Sequence, residues 1–281
     1  MTTLQLYEQI RTKRTMLCVG LDTDFAKLPL PIRELEDNPE MAFRGQLYSG
    51  KARCVVAFNR AIIDATAPYC VAYKPNLAFY EALGLEGMRA LEATVGYLRD
   101  RYPDHFLIAD AKRGDIGNTA AMYARTFFET MDFDAVTLSP YMGRETVEPF
   151  LQYPGRFAIV VALSSNPSSA DFQLPVTGDG RPVYQRVIET MMEISTPENM
   201  MFVVGATQAA RLQEIRRFCP DNFFLVPGVG AQGGSAEEVI ACGSNARGGL
   251  LINASRSILY ASSGADFATA AGEAASRTAR L

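Results

Sequence analysis

The chain has 281 residues, of which 48% are hydrophobic and 21% are charged, a balance that indicates a folded globular protein rather than a disordered or fibrous one. Its net charge is -4 and its basic residues are scattered, which argues against a nucleic acid as partner and leaves a small anion open. No apolar run approaches about 18 residues, so the sequence predicts neither a signal peptide nor a membrane span.

The first predicted element is a short extra helix over residues 1–12, and eight short apolar runs follow it along the chain. Each run ends near Gly, Pro, Asp, Asn or Ser. The runs are continuous rather than alternating, which is typical of parallel strands covered on both faces. The predicted strands are MLCVGLD (16–22), CVAYKPN (70–76), FLIADAK (106–112), AVTLSPY (135–141), FAIVVALSSN (157–166), MFVVGAT (201–207), FFLVPGVG (223–230) and GLLINAS (249–255).

Segments with helical periodicity lie between these runs, as Leu91, Val95 and Leu98 illustrate by their spacings of four and three. Eight strand–helix units in about 250 residues favour a (β/α)8 TIM barrel over a doubly wound sheet. We therefore expect one α/β barrel domain over residues 1–281. A polar, proline-containing insertion at residues 24–50 follows the first strand, and the sequence assigns it no role.

The stretch LIADAKRGDIGNTA (107–120) changes abruptly from apolar residues to four formal charges. Because side chains alternate along a strand, Asp110 and Lys112 should point the same way at the carboxyl end of the third strand. Asn118 or Thr119 could cap the helix that follows. A solvated turn with a surface ion pair would give the same pattern, but reacting groups of barrels lie at these strand ends. The position therefore favours a functional cluster.

Two further charges end the first two strands, Asp22 and Lys74. Together with Asp110 and Lys112 they form what we call the charged array, although each alone would be unremarkable. His105 is the only histidine and precedes the third strand, at the opposite end of a barrel. A structural role is expected for it, and neither a Ser-His-Asp triad nor a histidine-rich metal site is predicted.

The last two strands end in PGVGAQGG (227–234) and NASRS (253–257), where barrels frequently bind a phosphate group. The glycines permit close backbone approach, Gln232 can donate from its amide, and Arg256 offers a bidentate charge. A glycine-rich turn beside one surface arginine is the plainer interpretation of either loop alone. The fifth strand ends in LSSNPSS (163–169), whose polar groups could bind a heterocycle or simply form a turn.

The five cysteines are odd in number and lack CxxC spacing, so neither a disulfide framework nor a zinc site is predicted. A reducing, cytoplasmic setting fits this usage best.

Several stretches together closely resemble the orotidine 5'-phosphate decarboxylase family over about residues 15–260. They are LCVGLD, YKPNLAFYEALG, DAKRGDIGNTA, TLSPYMGRETVEPF, SSNPSS, VVGAT, PGVGAQGG and NASRSI. The chain length and the insertion resemble the longer bacterial branch of that family. The resemblance implies conversion of orotidine 5'-monophosphate (OMP) to UMP and CO2 in pyrimidine biosynthesis, with neither a metal nor an organic cofactor.

The resemblance also implies roles for the charged array. Asp22 and Lys74 would hold ribose hydroxyls, while Asp110 and Lys112 would face the carboxylate that is lost. Lys112 would then protonate the ring carbon.

The other implied residues belong to a homodimer interface and to the two ends of the nucleotide. Asp115, Ile116 and Thr119 would reach across the dimer into the partner's site. The pyrimidine edge would meet Ser165, and the phosphate end would meet Pro227, Gln232 and Arg256. Ser255 stands where the family often has glycine before this arginine, which is a departure from the family's pattern at the phosphate end.

The chemistry accounts for a lysine between carboxylates. Loss of CO2 from C6 leaves an anion whose lone pair lies in the ring plane, so the ring's π system cannot delocalise it. Lys112 as an ammonium supplies both a nearby positive charge and a proton, and neighbouring carboxylates favour that charged form.

Three alternatives remain open at this point. A related barrel family uses a similar D-x-K-x-x-D cluster with Mg²⁺ to stabilise an enediolate from a sugar phosphate, and a chelator would distinguish it. A Schiff-base aldolase using Lys74 or Lys112 would be trapped by borohydride. A catalytically silent nucleotide-binding barrel would bind UMP without turnover.

Overall fold

The structure, a computed structural model, describes residues 1–37, 42–43, 46–47, 50–229 and 235–279. Eight parallel strands close into a barrel in which each strand pairs with the next along the chain and the last pairs with the first. This confirms the predicted TIM barrel. The barrel strands are β1 (Leu17–Gly20), β2 (Ala72–Lys74), β3 (Phe106–Arg113), β4 (Ala135–Leu138), β5 (Phe157–Leu163), β6 (Met200–Val204), β7 (Phe224–Pro227) and β8 (Leu250–Ala254).

Helices lie around this barrel, and most of them pack against the outside of its strands. They are α1 (Thr3–Lys13), α2 (Leu30–Arg33), α3 (Gly50–Thr66), α4 (Leu77–Glu81), α5 (Gly84–Arg101), α6 (Gly117–Arg125), α7 (Ser169–Phe172), α8 (Val183–Met192), α9 (Ala209–Phe218), α10 (Ala236–Gly243), α11 (Arg256–Leu259) and α12 (Phe267–Ala279). Leu91, Val95 and Leu98 form the buried face of α5, as their spacing predicted.

Two apolar layers explain why the strand sequences are continuous. Leu107 and Ala109 of β3 face the surrounding helices, whereas Ile108 between them points into the barrel. Helix α1 closes the N-terminal end, because Leu6 and Ile10, one helical turn apart, pack into the same interior cluster as Ile108. The opposite, C-terminal end is left for polar groups.

The described part of the insertion lies between β1 and α3. It contains α2 flanked by 3-10 turns at Phe25–Lys27 and Glu34–Asp37, and then a two-stranded ribbon of Ala42–Phe43 and Gln46–Leu47. The buried Arg53 of α3 fastens this segment by donating to the carbonyls of Leu35 and Glu36, at 2.8 and 3.1 Å. Among the residues that the structure describes, no helix is long and apolar enough to cross a membrane.

His105 lies at the N-terminal end of β3 and is buried between α1 and the turn before β2. Its Nε2 is 2.8 Å from Nζ of Lys13, which also donates to the carbonyls of Ala67 and Cys70. Burial, together with the charge of Lys13, lowers the pKa of His105 to about 4. His105 is therefore neutral and structural at neutral pH.

This lowered pKa of His105 predicts a loss of stability in mild acid. In the unfolded chain His105 takes up a proton near pH 6.5, whereas in the folded chain it does so only near pH 4. The contribution of neutral His105 to stability is therefore fully present above pH 6.5 and is lost as the pH falls towards 4. Between pH 7.5 and pH 5 the free energy of unfolding should fall by about 2 kcal/mol from this group. When it is measured by urea unfolding, the free energy of unfolding of His105→Gln should fall less over the same pH range. Equal falls in the two proteins would contradict the assignment.

Candidate active site

A polar layer lies above the apolar interior at the C-terminal end of the barrel. It arises because several strands place a polar or small residue two positions after an inward apolar one, as Asp110 follows Ile108 and Asn253 follows Leu251. The same step leads from Ala72 to Lys74. Strand periodicity therefore assembles charged and amide groups from separate parts of the sequence at one end.

The charged array forms a chain of contacts in this layer. Asp110 accepts hydrogen bonds from both lysines: its Oδ2 is 2.7 Å from Nζ of Lys74, and its Oδ1 is 2.5 Å from Nζ of Lys112. Asp22 Oδ1 lies 3.8 Å from Nζ of Lys74 and is buried without a hydrogen-bond partner among the described residues. Asp110 is only 8% exposed, which contradicts the alternative of a solvated surface ion pair.

Burial and charge act in opposite directions on these groups. Burial alone raises the pKa of the Asp110 carboxyl, but the ammonium groups of Lys74 and Lys112 outweigh it and hold that pKa well below its usual range. Burial lowers the pKa of Lys74, yet the carboxylates of Asp110 and Asp22 raise it above its usual range. The buried pair is therefore ionised at neutral pH, as an electrostatic device requires.

The backbone at Lys112 departs from a regular strand. The register of β3 against β4 shifts between Ala109 and Arg113, and Lys112 has φ +46°, in the left-handed region. Thr137 of β4, which the sequence analysis did not single out, sits beside this irregularity and is 1% exposed. Its hydroxyl contacts Asp110 and the backbone of Lys112 at 3.0 Å. The sequence signal that could have identified Thr137 is a hydroxyl side chain at an inward position of the otherwise apolar AVTL strand.

A cavity of about 220 Å³ extends from the charged array towards the ends of β7 and β8. Its lining includes Asp22, Lys74, Asn76, Asp110, Pro227, Asn253, Ser255 and Arg256. The structure thus brings the predicted phosphate-end residues Pro227 and Arg256 into one cavity with most of the charged array. Asn76 and Asn253 also line the cavity and were not predicted from the sequence. Asn253 is 8% exposed, and its Oδ1 has no hydrogen-bond partner within the described part of the chain.

Five other predicted residues do not line this cavity, and Lys112 is one of them, although its ammonium contacts the lining residue Asp110. Asp115, Ile116 and Thr119 lie in the loop and first turn after β3, where Ile116 is 48% exposed and Asp115 Oδ1 accepts from the Ile116 amide at 2.8 Å. Ser165 lies after β5 and is half-buried, and its carbonyl accepts from the hydroxyl of Thr207. Gln232 falls outside the described residues.

The capping prediction for α6 was wrong. Asn118 and Thr119 lie inside the helix, which begins at Gly117, and the capping position is occupied by Ile116, which makes no side-chain capping bond. Gly117 adopts φ +55°, a conformation that glycine tolerates at no steric cost. The chain therefore turns into the helix before the polar residues are reached.

A larger cavity of about 680 Å³ lies at the opposite, N-terminal end, beside α1. Its charged lining includes Arg99, Asp132 and Arg156, which pair with one another: Arg156 is 2.6 Å and Arg99 is 3.2 Å from Asp132. No member of the charged array lines it. The smaller cavity is the better candidate for the active site.

Sequence comparison finds relatives along nearly the whole chain. A profile described as "Orotidine 5'-phosphate decarboxylase / HUMPS family" matches residues 15–271. The orotidine 5'-phosphate decarboxylase of Phocaeicola vulgatus is 52% identical over 273 residues, covering 97% of this chain and 94% of that protein. The protein of the same name from Porphyromonas gingivalis is 54% identical over 276 residues, covering 98% and 94%.

Structural comparison gives a consistent result. The OMP decarboxylase of Leishmania donovani matches with a TM-score of 0.74 and 34% identity, covering 97% of this chain and 95% of that one. The orotidine 5'-monophosphate decarboxylase of Methanocaldococcus jannaschii, solved in complex with the inhibitor BMP, has a TM-score of 0.64. At 18% identity, with coverages of 94% and 96%, this second likeness shows the fold alone.

Proposed function

The chain belongs to the orotidine 5'-phosphate decarboxylase / HUMPS family, and we infer that it is a carboxy-lyase that converts OMP to UMP and CO2. The observation that carries this function is the contact of the buried Asp110 carboxylate with both Lys74 and Lys112 at the C-terminal end of the barrel. Relatives that are more than half identical bear the decarboxylase name, which favours this activity over others in the family.

We propose that the charged array stabilises and then protonates the anion left at C6 of the pyrimidine. The Lys112 ammonium lies beside the developing negative charge and transfers its proton to C6, while Asp110 faces the carboxylate that departs. Repulsion between Asp110 and this carboxylate is relieved as CO2 leaves. Lys74 keeps Asp110 ionised by its 2.7 Å contact. The bond from C6 to the carboxyl carbon breaks, and a C6–H bond replaces it.

In the proposed orientation, the phosphate of the nucleotide lies at the opposite end of the cavity from the reacting carbon C6. Pro227 and Arg256 line the same cavity as Asp22 and Lys74, so the ribose fits beside the last two and the phosphate beside Arg256. The sequence motif assigns Gln232 to this phosphate end and Ser165 to the pyrimidine edge.

Magnitudes show why remote contacts are needed. Two unit charges 4 Å apart contribute about 4 kcal/mol at an effective dielectric constant near 20. Large enzymatic accelerations require about 20 kcal/mol. Contacts to the phosphate therefore help by ordering loops and aligning the array, which raises turnover without touching C6.

The test of this function is the conversion of OMP to UMP by the purified protein, followed by ultraviolet absorbance with and without EDTA. We expect the turnover rates with and without EDTA to agree within about twofold, since the proposed steps use only side chains. Loss of activity in EDTA, restored by Mg²⁺, would instead favour the metal-dependent sugar-phosphate reaction. Binding of UMP without any turnover would favour a silent binding protein.

We also propose a homodimer in which Asp115, Ile116 and Thr119 serve the partner's site. In this single chain they lie outside the cavity, which is consistent with a role across an interface. Large apolar side chains that follow β3 and β4 are exposed: Ile116 by 48%, Met122 by 47% and Tyr141 by 86%. Large exposed apolar side chains of this kind favour a site of protein association.

The shared site predicts complementation between two inactive variants. Equal amounts of Lys112→Ala and Asp115→Ala protein, exchanged under conditions that dissociate dimers, should regain about a quarter of the parental activity, because half of the dimers are mixed and each holds one intact site. Each variant alone should stay inactive. Activity in the mixture no greater than that of the separate variants would contradict the shared site.

A reducing, cytoplasmic setting is proposed as well. All five cysteines are free thiols, and four of them, Cys18, Cys54, Cys70 and Cys219, are buried. Thiols of this kind persist where reductants are present. Fractionation of the native cell tests this location, and recovery of the protein outside the cytoplasm would contradict it.

A further inference from the structure

We propose that the Thr137 hydroxyl is the positioning group that holds Lys112 in its proton-donating place, an inference that rests on the proposed function. Thr137 acts through the backbone of Lys112 and through the carboxylate of Asp110. It therefore sets the geometry of the reaction from β4, the neighbouring strand.

The hydroxyl uses its full hydrogen-bonding capacity at this point. It accepts from the backbone N–H groups of Ala111 and Lys112, each at 3.0 Å, and donates to Asp110 Oδ1, also at 3.0 Å. One donor and two acceptor positions are all that a hydroxyl has. A single buried oxygen thus ties three consecutive residues of β3 to β4.

The backbone conformation at Lys112 needs such a support. A left-handed φ of +46° is uncommon for a residue with a side chain, and it persists only where the surroundings fix it. Two successive N–H groups converging on one oxygen cannot occur in a regular strand, whose N–H groups alternate in direction. The shift in register between Ala109 and Arg113 is the result, and the Thr137 oxygen satisfies the groups that the shift leaves unpaired.

The side chain of Lys112 has little other support. It is 54% exposed, so packing does not fix it, and its ammonium contacts Asp110 Oδ1 at 2.5 Å. Thr137 donates to this same oxygen. The place of the ammonium therefore depends on the Lys112 backbone and on the Asp110 carboxylate, and Thr137 holds both.

The test compares Thr137→Val, which keeps the shape and removes the hydroxyl, with Thr137→Ser, which keeps the hydroxyl. We expect kcat for OMP to fall about 100-fold in the valine variant, since a misplacement near 1 Å costs that much, while KM and UMP affinity change less than about threefold. The serine variant should stay within about threefold of the parent in kcat. A parental kcat in the valine variant, or an equal loss in both variants, would overturn the proposal.

Thr66→Val is the matched control, because Thr66 is also buried and its hydroxyl donates to a backbone carbonyl, that of Ile62, at 2.7 Å. It should lose stability without losing kcat. If Thr137→Val does not fold, Thr137→Cys replaces it, and we expect a roughly tenfold loss of kcat from the weaker thiol bonds. A cysteine variant with parental kcat would overturn the proposal.

Amide hydrogen exchange separates this inference from the proposed function. The amides of Ala111 and Lys112 should exchange faster in Thr137→Val than in Thr137→Ser, whether or not the parent decarboxylates OMP. Unchanged exchange would overturn the positioning role. Absence of turnover in the folded parent would overturn the decarboxylase function. The exchange measurement would then still test whether Thr137 holds the backbone of Lys112.

Discussion

Replacement of Lys112 by alanine should lower kcat/KM for OMP decarboxylation by at least about 10⁴-fold, because the variant loses a proton donor and a charge beside the C6 anion together. The remaining array still holds Lys74 against Asp110 at 2.7 Å, so the cavity itself should persist. We therefore expect UMP to bind within about tenfold of its parental affinity. Ultraviolet turnover assays and calorimetric titration with UMP provide the two measurements.

Lys51→Ala is the matched control, since Lys51 is exposed and its ammonium lies over the ring of Phe25. Its kcat/KM should equal that of the parent. Proton transfer from the enzyme also predicts that UMP formed in D2O carries deuterium at C6. A Lys112→Ala protein that is folded and within tenfold of parental activity would refute the assigned donor.

Replacement of Arg256 by alanine should lower kcat/KM for OMP by about 10³-fold and change that for orotidine, which lacks the phosphate, by less than about threefold. Arg256 and Pro227 both line the cavity. In the proposed function Arg256 acts on the reaction only through the phosphate, which is the physical reason for this expectation. Part of the loss should appear in kcat, because binding of the phosphate orders the site. Parallel kinetics on the two substrates provide the measurement.

Arg277→Ala provides the control for this prediction, because the Arg277 side chain is 70% exposed and pairs only weakly, at 3.9 Å, with Glu273. The kcat/KM values for OMP and for orotidine should both equal those of the parent. An equal loss for OMP and orotidine in Arg256→Ala would show that the arginine supports the fold rather than the phosphate, and would remove it from the site.

The barrel was predictable because its signal is local. Each strand is a short run of apolar residues buried on both faces, and each run ends where polar side chains begin, so hydrophobic periodicity alone locates the eight strands and α1 along the chain. The charges at the ends of the first three strands followed from the same logic. Parallel strands of a barrel must deliver their carboxyl ends to one face.

The N-terminus of α6 shows where prediction from local sequence fails. Polar side chains at Asn118 and Thr119 suggested a later start, but the left-handed Gly117 turned the chain into the helix earlier. A residue's capping role depends on backbone angles that its identity does not specify. The same limit applies to Lys112, whose φ of +46° is not a preference of lysine.

The sequence by itself determined the barrel, the end at which the charged array lies, and the residue types gathered there, because these depend on hydrophobic periodicity and strand direction. Only the tertiary structure decided which groups touch: Asp110 bridges Lys74, 36 positions away, and Lys112, and Thr137 lies 27 positions from the carboxylate it contacts. Such contacts depend on the register between β3 and β4 and on the closure of the barrel. Both are properties of the packed chain that no single stretch of sequence contains.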